Sequence, residues 1–170
     1  MNRLQLATLL FWAGNSGMQG RKRLQKVVFF LQHAGCPLDC HFTLHHFGPY
    51  SRDVADSCDE MVGAGLIQEH GGPPGGTMQY CYTLAPAICQ LLQQSLDSGM
   101  QAYEDLGKSL IAEDIWPLEL GSTIVFFFKQ SGNWDDALVK ACEFKKVAYT
   151  ENQSRDALSL ARRVVINGNQ

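Results

Sequence analysis

Six consecutive residues that neither a helix interior nor a central strand accommodates, Gly71-Gly72-Pro73-Pro74-Gly75-Gly76, lie between two short β-forming runs. Glycine reaches turn conformations at no steric cost and proline removes a ladder donor. The segment therefore reads as the tip of an antiparallel hairpin, with strands at Leu66 and Ile67 and over residues 78–84. Upstream the apolar spacing is helical. Leu6, Leu9, Leu10 and Ala13 share one side of a first helix that the run 14–17 ends. Leu24, Val27, Val28 and Leu31 fall at i, i+3, i+4 and i+7 of a second helix released by Gly20. Gly35-Cys36-Pro37 then turns the chain into a strand through Phe42, Leu44 and His46. Gly48-Pro49-Tyr50-Ser51 leads into a third helix, about 52–64, with Ser51 as its N-cap and Val54, Cys58 and Met61 facing inward beside Ala55.

The order helix, helix, strand, helix, strand, glycine-rich tip, strand is that of a winged helix, a helix-turn-helix variant extended by a β-hairpin. Beyond Pro86 the pattern is helical, near residues 87–96, 100–113, 118–130, 135–149 and 154–166. The apolar run 124–128 reads as the buried centre of one of these helices, stopped by Ser131-Gly132. Asp135 and Asp136 early and Lys140, Lys145 and Lys146 late match the dipole of the next. The expected fold class is mostly α (α+β). A winged helix-turn-helix-like half with a small antiparallel β-hairpin, residues 1–85, precedes a C-terminal helical bundle, residues 86–170, packed on it as one unit.

Charge and chemistry narrow the function. Fourteen Lys plus Arg against seventeen Asp plus Glu give a formal charge of -3, so no global positive field holds a nucleic acid or an anionic membrane. The longest apolar runs, 27–31 and 124–128, are far short of the roughly 20 residues that span a bilayer. Arg3 before Leu4, Ala7, Leu9, Leu10 and Phe11 imitates a signal peptide, but Gln5 interrupts it and no A-x-A-like site follows, so a cytoplasmic protein is expected. The six cysteines sit inside apolar patterns, as reduced buried thiols do. Cys36, Cys40, His41 and His45 lack the matched second pair of a zinc site. Strand alternation would place Phe42, Leu44 and His46 on one face and His41, Thr43 and His45 on the other. No metal and no cofactor is assigned.

The pieces Arg21-Lys22-Arg23-Leu24-Gln25-Lys26-Val27-Val28, Phe47-Gly48-Pro49-Tyr50-Ser51, Tyr82-Thr83-Leu84 and Ser122-Thr123-Ile124-Val125-Phe126-Phe127 occur in that order along the chain. Together they resemble the YwgA-like bacterial proteins, which are in turn distantly similar to the Panacea or SocA-like antitoxin domain. The resemblance implies binding to a toxin or other protein partner rather than catalysis. Its motif residues here are Leu24, Gln25, Lys26, Gly48, Pro49, Tyr50 and Ser51.

Two kinds of partner follow from the charged helices. The third helix offers Arg52 against Asp53, Asp56, Asp59 and Glu60, a face that repels a duplex but complements a basic protein surface. Arg21, Lys22, Arg23 and Lys26 stand at the start of the second helix, where the macrodipole disfavours cations. They read either as a phosphate clamp for nucleic acid or as a solvated face and intramolecular partner of the acidic helix. With Tyr50 these residues are the partner-binding candidates. Catalytic signatures are absent: Gly107-Lys108-Ser109 has Ala102 where a P-loop needs its first glycine, and the adjacent carboxylates point apart on a helix. The chain reads as a non-enzymatic protein-binding or regulatory module, the alternative being a winged-helix DNA-binding transcriptional regulator.

Overall fold

The structure, a computed structural model, describes residues 1–71, 80–93, 98–146 and 148–167. A capping box opens α1 (Arg3–Ala13): the Asn2 side chain accepts from the Gln5 N–H, and the Gln5 side chain accepts from the Asn2 N–H. Burial takes in Leu6, Ala7, Thr8, Leu9, Leu10 and Trp12, more than the single stripe expected, because α1 touches elements from both sides of position 85. At Gly17 the φ is +64°, and a Cβ there would stand 2.7 Å from the Tyr82 carbonyl oxygen. That close approach sets β1 (Met18–Gln19) beside β5 (Cys81–Leu84), with Met18 opposite Tyr82. On its other side β5 pairs antiparallel with β4 (Ile67–His70), giving the order β1-β5-β4. The glycine- and proline-rich tip, from Gly72 onward, lies outside the described residues.

Leu24, Val27, Val28 and Leu31 of α2 (Arg21–His33) are buried as their spacing requires. So are Phe29 and Phe30 between them, each contributing roughly 2–3 kcal/mol of transfer free energy. The strand expected through Phe42, Leu44 and His46 is shorter and pairs elsewhere. Here β2 (Thr43–His45) forms a separate two-stranded ladder with β3 (Gly48–Tyr50). His46 and Phe47 make the turn between them, so His46 is exposed instead of sharing the half-buried face of Phe42 and Leu44. In α3 (Arg52–Gly63), Val54, Cys58 and Met61 are buried. Ser51 occupies the N-cap position, but its hydroxyl makes no cap bond and instead lies 3.4 Å from Asp53 Oδ2.

Among the described residues five further α-helices follow: α4 (Pro86–Leu92), α5 (Glu104–Ala112), α6 (Ile115–Ser131), α7 (Trp134–Lys145) and α8 (Glu151–Asn167). Pro117 falls in the first turn of α6, where its missing N–H has no intrahelical partner to lose, so the helix starts before the expected Leu118. Pro117, Leu118, Leu120, Ile124 and Val125 are buried, whereas Phe126, Phe127 and Phe128 are half-buried. Asn133 caps α7, accepting from the Asp135 and Asp136 N–H groups. α6 packs on α7, α8, α2 and β3, and α2 also meets α5 and α8. Residues from both sides of position 85 therefore share the apolar core. The fold is mostly α, with small antiparallel sheets.

Candidate functional site

The two motif pieces bond to each other. Gln25 is buried on α2, and its Nε2 donates to the Ser51 carbonyl at 2.9 Å while its Oε1 accepts from the Ser51 N–H at 2.8 Å. One turn of side chain thus satisfies both backbone groups of a residue that is wholly buried. The next residue, Lys26, is 2% exposed, and its Nζ donates to the Pro49 carbonyl at 2.6 Å. Gly48 has a φ of +93°, and a Cβ on it would meet Thr123 Oγ1 at 2.6 Å. Only glycine lets the β2–β3 hairpin lie this close to α6. Leu24 fills the core, and Tyr50 packs against His45 with ring centroids 4.7 Å apart. The resemblance motif is thereby a set of contacts that fixes the hairpin on α2 and α6.

The basic cluster at the start of α2 does not form one phosphate clamp, because consecutive helical positions point about 100° apart. Arg21 turns to β5 and α3: its Nε donates to the Tyr82 hydroxyl at 2.7 Å, and its guanidinium pairs with Asp59 at 2.8 Å and Glu69 at 3.8 Å. Tyr82 in turn donates to Glu69 at 3.0 Å. Burial holds that phenol well above its usual range, and the Tyr82 hydrogen bond keeps Arg21 firmly protonated. Lys22 points to α6, where Glu119 is 3.4 Å away, and lies 3.9 Å above the Phe47 ring. Arg23 caps the end of α5, donating to the Ile111 and Glu113 carbonyls. Burial lowers its pKa, and among the described residues its buried Nε has no hydrogen-bond partner. Lys26 is inside, so it is not on the solvated face that the sequence pattern allows.

On α3 most carboxylates find a nearby cation. Asp56 is 3.4 Å from Arg52, Glu60 is 3.6 Å from Arg3, and Asp59 takes Arg21. Asp53 differs, since it accepts from the His41 N–H at 2.8 Å and meets the Ser51 hydroxyl, both uncharged donors. Asp53, Asp56 and Asp59 line a cleft of about 640 Å³ with Arg21, Arg52, His41, Thr43, His45 and Tyr50. Beyond the Tyr50–His45 pair lies a second cleft of about 390 Å³, lined by Arg21, Lys22, Gln25, Lys26, His46, Phe47 and Gly48. The two clefts share Arg21, His45 and Tyr50 and differ in charge.

Several participants were not among the candidate site residues: Thr43 was read only for its strand face, Lys145 only for a helix dipole, and Phe47 and Tyr82 only as members of the resemblance pieces. Glu119 had a signal, as a carboxylate between Leu118 and Leu120 in an otherwise apolar stretch. Cys36 and Cys40 are buried, whereas His41 and His45 are exposed. Among the described residues no group of three or more His, Cys, Asp or Glu is placed to hold a metal ion. No disulfide joins any of the six cysteines, and burial pushes Cys58 up to about 11.

Fold and clefts together define a mostly helical protein whose β2–β3 hairpin, clamped on α2, separates an acidic from a cationic depression. No family profile matches the chain. The chain is 32% identical over 110 residues to the Uncharacterized protein YwgA of Bacillus subtilis (strain 168), a match covering 64% of this chain and 64% of that protein. The aligned region is thus a little under two thirds of the relative's own length, and it supports the YwgA-like resemblance without carrying an activity. No helix among the described residues is long and apolar enough to cross a membrane.

Proposed function

We propose that the protein is a non-enzymatic binding module that receives a basic segment of a protein partner in the cleft between α3 and the β2–β3 hairpin. The observation that carries this reading is Asp53, an exposed carboxylate at the cleft that accepts from the His41 N–H and meets the Ser51 hydroxyl, both neutral donors. A lysine or arginine from a partner would supply the missing charge, with His41, Thr43 and Tyr50 offering contacts around it. Antitoxin-like neutralisation of a toxin is the sharpest form of the proposal and draws on the family resemblance.

The test is copurification of the tagged protein from nuclease-treated native lysate. A stoichiometric protein that is lost with the double variant Asp53→Lys and Asp56→Lys, but kept with Asp105→Lys at an exposed position of α5, is the expected outcome. An unchanged set of copurifying proteins would overturn this site. The alternative, a DNA-binding regulator, draws on the strand order β1-β5-β4 beside α2 and α3. It requires free cations, and Arg21, Arg23 and Lys26 are engaged by tyrosine, carboxylates and backbone carbonyls. Duplex binding whose salt slope falls with Arg21→Glu and Lys22→Glu would favour it.

A further inference from the structure

The second cleft has a charge problem of its own. Lys22 and Lys145 both approach the Glu119 carboxylate at 3.4 Å, and Lys26 feels the same carboxylate from the buried side. Three ammonium groups share one carboxylate, and Lys145 and Lys26 are both removed from water. An ammonium carries three donors, yet among the described residues the hydrogen bond from Lys26 goes to Pro49 alone. Nor does α2 answer the positive end of its own dipole: its first turn holds no acidic residue, and Gly20 offers no side-chain cap. Above this excess of positive charge stand aromatic walls, with Phe47 half exposed over Lys22 and Tyr50 on the opposite strand.

We infer that the cleft between the first two turns of α2 and the β2–β3 hairpin binds a small aromatic anion, its charged oxygens held by Lys22 and Lys26 and its ring against Phe47 and Tyr50. A volume of about 390 Å³ lies within the range of small-molecule sites. The anion supplies the acceptors and the negative charge that Glu119 alone does not. This inference does not rest on the protein-partner reading, which turns on the α3 carboxylates, although the two clefts share Arg21, His45 and Tyr50.

Burial and Lys145 push the Lys26 ammonium down to about 7, against the pull of Glu119 from α6 and with Lys22 adding to the push. The hairpin brings His45, His46 and Tyr50 to the same cleft as titratable groups, and Arg21 faces it from α2. An anion there restores the Lys26 proton, so binding near neutral pH takes up protons.

The probe is 2-naphthoate, with 2-naphthamide as its neutral counterpart, titrated calorimetrically in two buffers of different ionisation enthalpy. Naphthoate is expected to bind at least about tenfold more tightly than the amide, with net proton uptake. Lys22→Ala should weaken naphthoate about tenfold while leaving the amide unchanged, and Lys22→Arg should restore most of the affinity. Lys22 is half exposed, so its variants keep the fold where Lys26→Met could fail to. Asp53→Lys is expected to leave naphthoate affinity within about threefold, which separates this site from the partner cleft. Equal affinity for acid and amide, indifference to Lys22→Ala, or no binding at millimolar concentration would each overturn the inference.

Discussion

Replacing Gln25 by methionine removes a reciprocal pair of hydrogen bonds while keeping the volume and helix propensity of the side chain. The Ser51 N–H and carbonyl, 2.8 and 2.9 Å from the Gln25 amide, would then face an apolar group inside a wholly buried site. Each orphaned backbone group costs about 1–3 kcal/mol, and local relaxation recovers part of it, so a loss of about 2–5 kcal/mol is expected. Equilibrium urea unfolding followed by far-UV circular dichroism reads this as a lower midpoint, about 1–2 M down, with the slope unchanged. Hydrogen exchange supplies the local readout: the Ser51 amide should lose its protection relative to amides in α8. Gln25→Glu should recover little, since a carboxylate can accept from the N–H but offers the Ser51 carbonyl no donor. A stability change below about 1 kcal/mol with Ser51 still protected would refute the clamp and the structural reading of the motif.

Three further outcomes test the same structure. Burial holds the folded Lys26 at about 7, below the ordinary lysine value of about 10.4, so the unfolded chain binds more protons between those values and the Lys26 contribution to stability rises with pH across that window. Lys26→Met should flatten this rise, by an amount on the order of a few kcal/mol, and unfolding measured at pH 7 and pH 10 checks the sign. The buried thiols Cys36, Cys40 and Cys58 should stay inert to a disulfide reagent in the native state and react on unfolding, so fast stoichiometric modification of Cys36 or Cys40 in the native state would contradict their burial. Gly107→Ala drives a methyl to 2.5 Å from the Trp12 ring and should cost about 1–3 kcal/mol, visible in the melting temperature.

The elements with strong periodicity were legible in the chain. Leu24, Val27, Val28 and Leu31 locate α2, and Gly48-Pro49-Tyr50-Ser51 announces α3 within a residue of its observed start. The strand β1 was not legible, because two residues between glycines carry no alternation; its partner β5 and the close approach at Gly17 define it. His46 broke the expected alternation for a related reason, since the hairpin turn falls on it. The basic run at 21–26 looks like one patch in sequence, but helical rotation sends its members to β5, α6, the end of α5 and the hairpin. Lys26 reads as one of a solvated basic face until residues 24–31 of its helix prove to be buried all round, Gln25 with them.

Partner docking at the cleft is tested most directly by placing a photo-crosslinking amino acid at Thr43, at Asp56 and, as a control on another exposed surface, at Asp105, and irradiating living cells that express each variant. The expected result is one protein crosslinked from both Thr43 and Asp56 but not from Asp105, through a lysine- or arginine-bearing segment, and lost when Asp53→Lys is added. Equal crosslinking from all three positions, or a shared partner that persists with Asp53→Lys, would contradict the proposal.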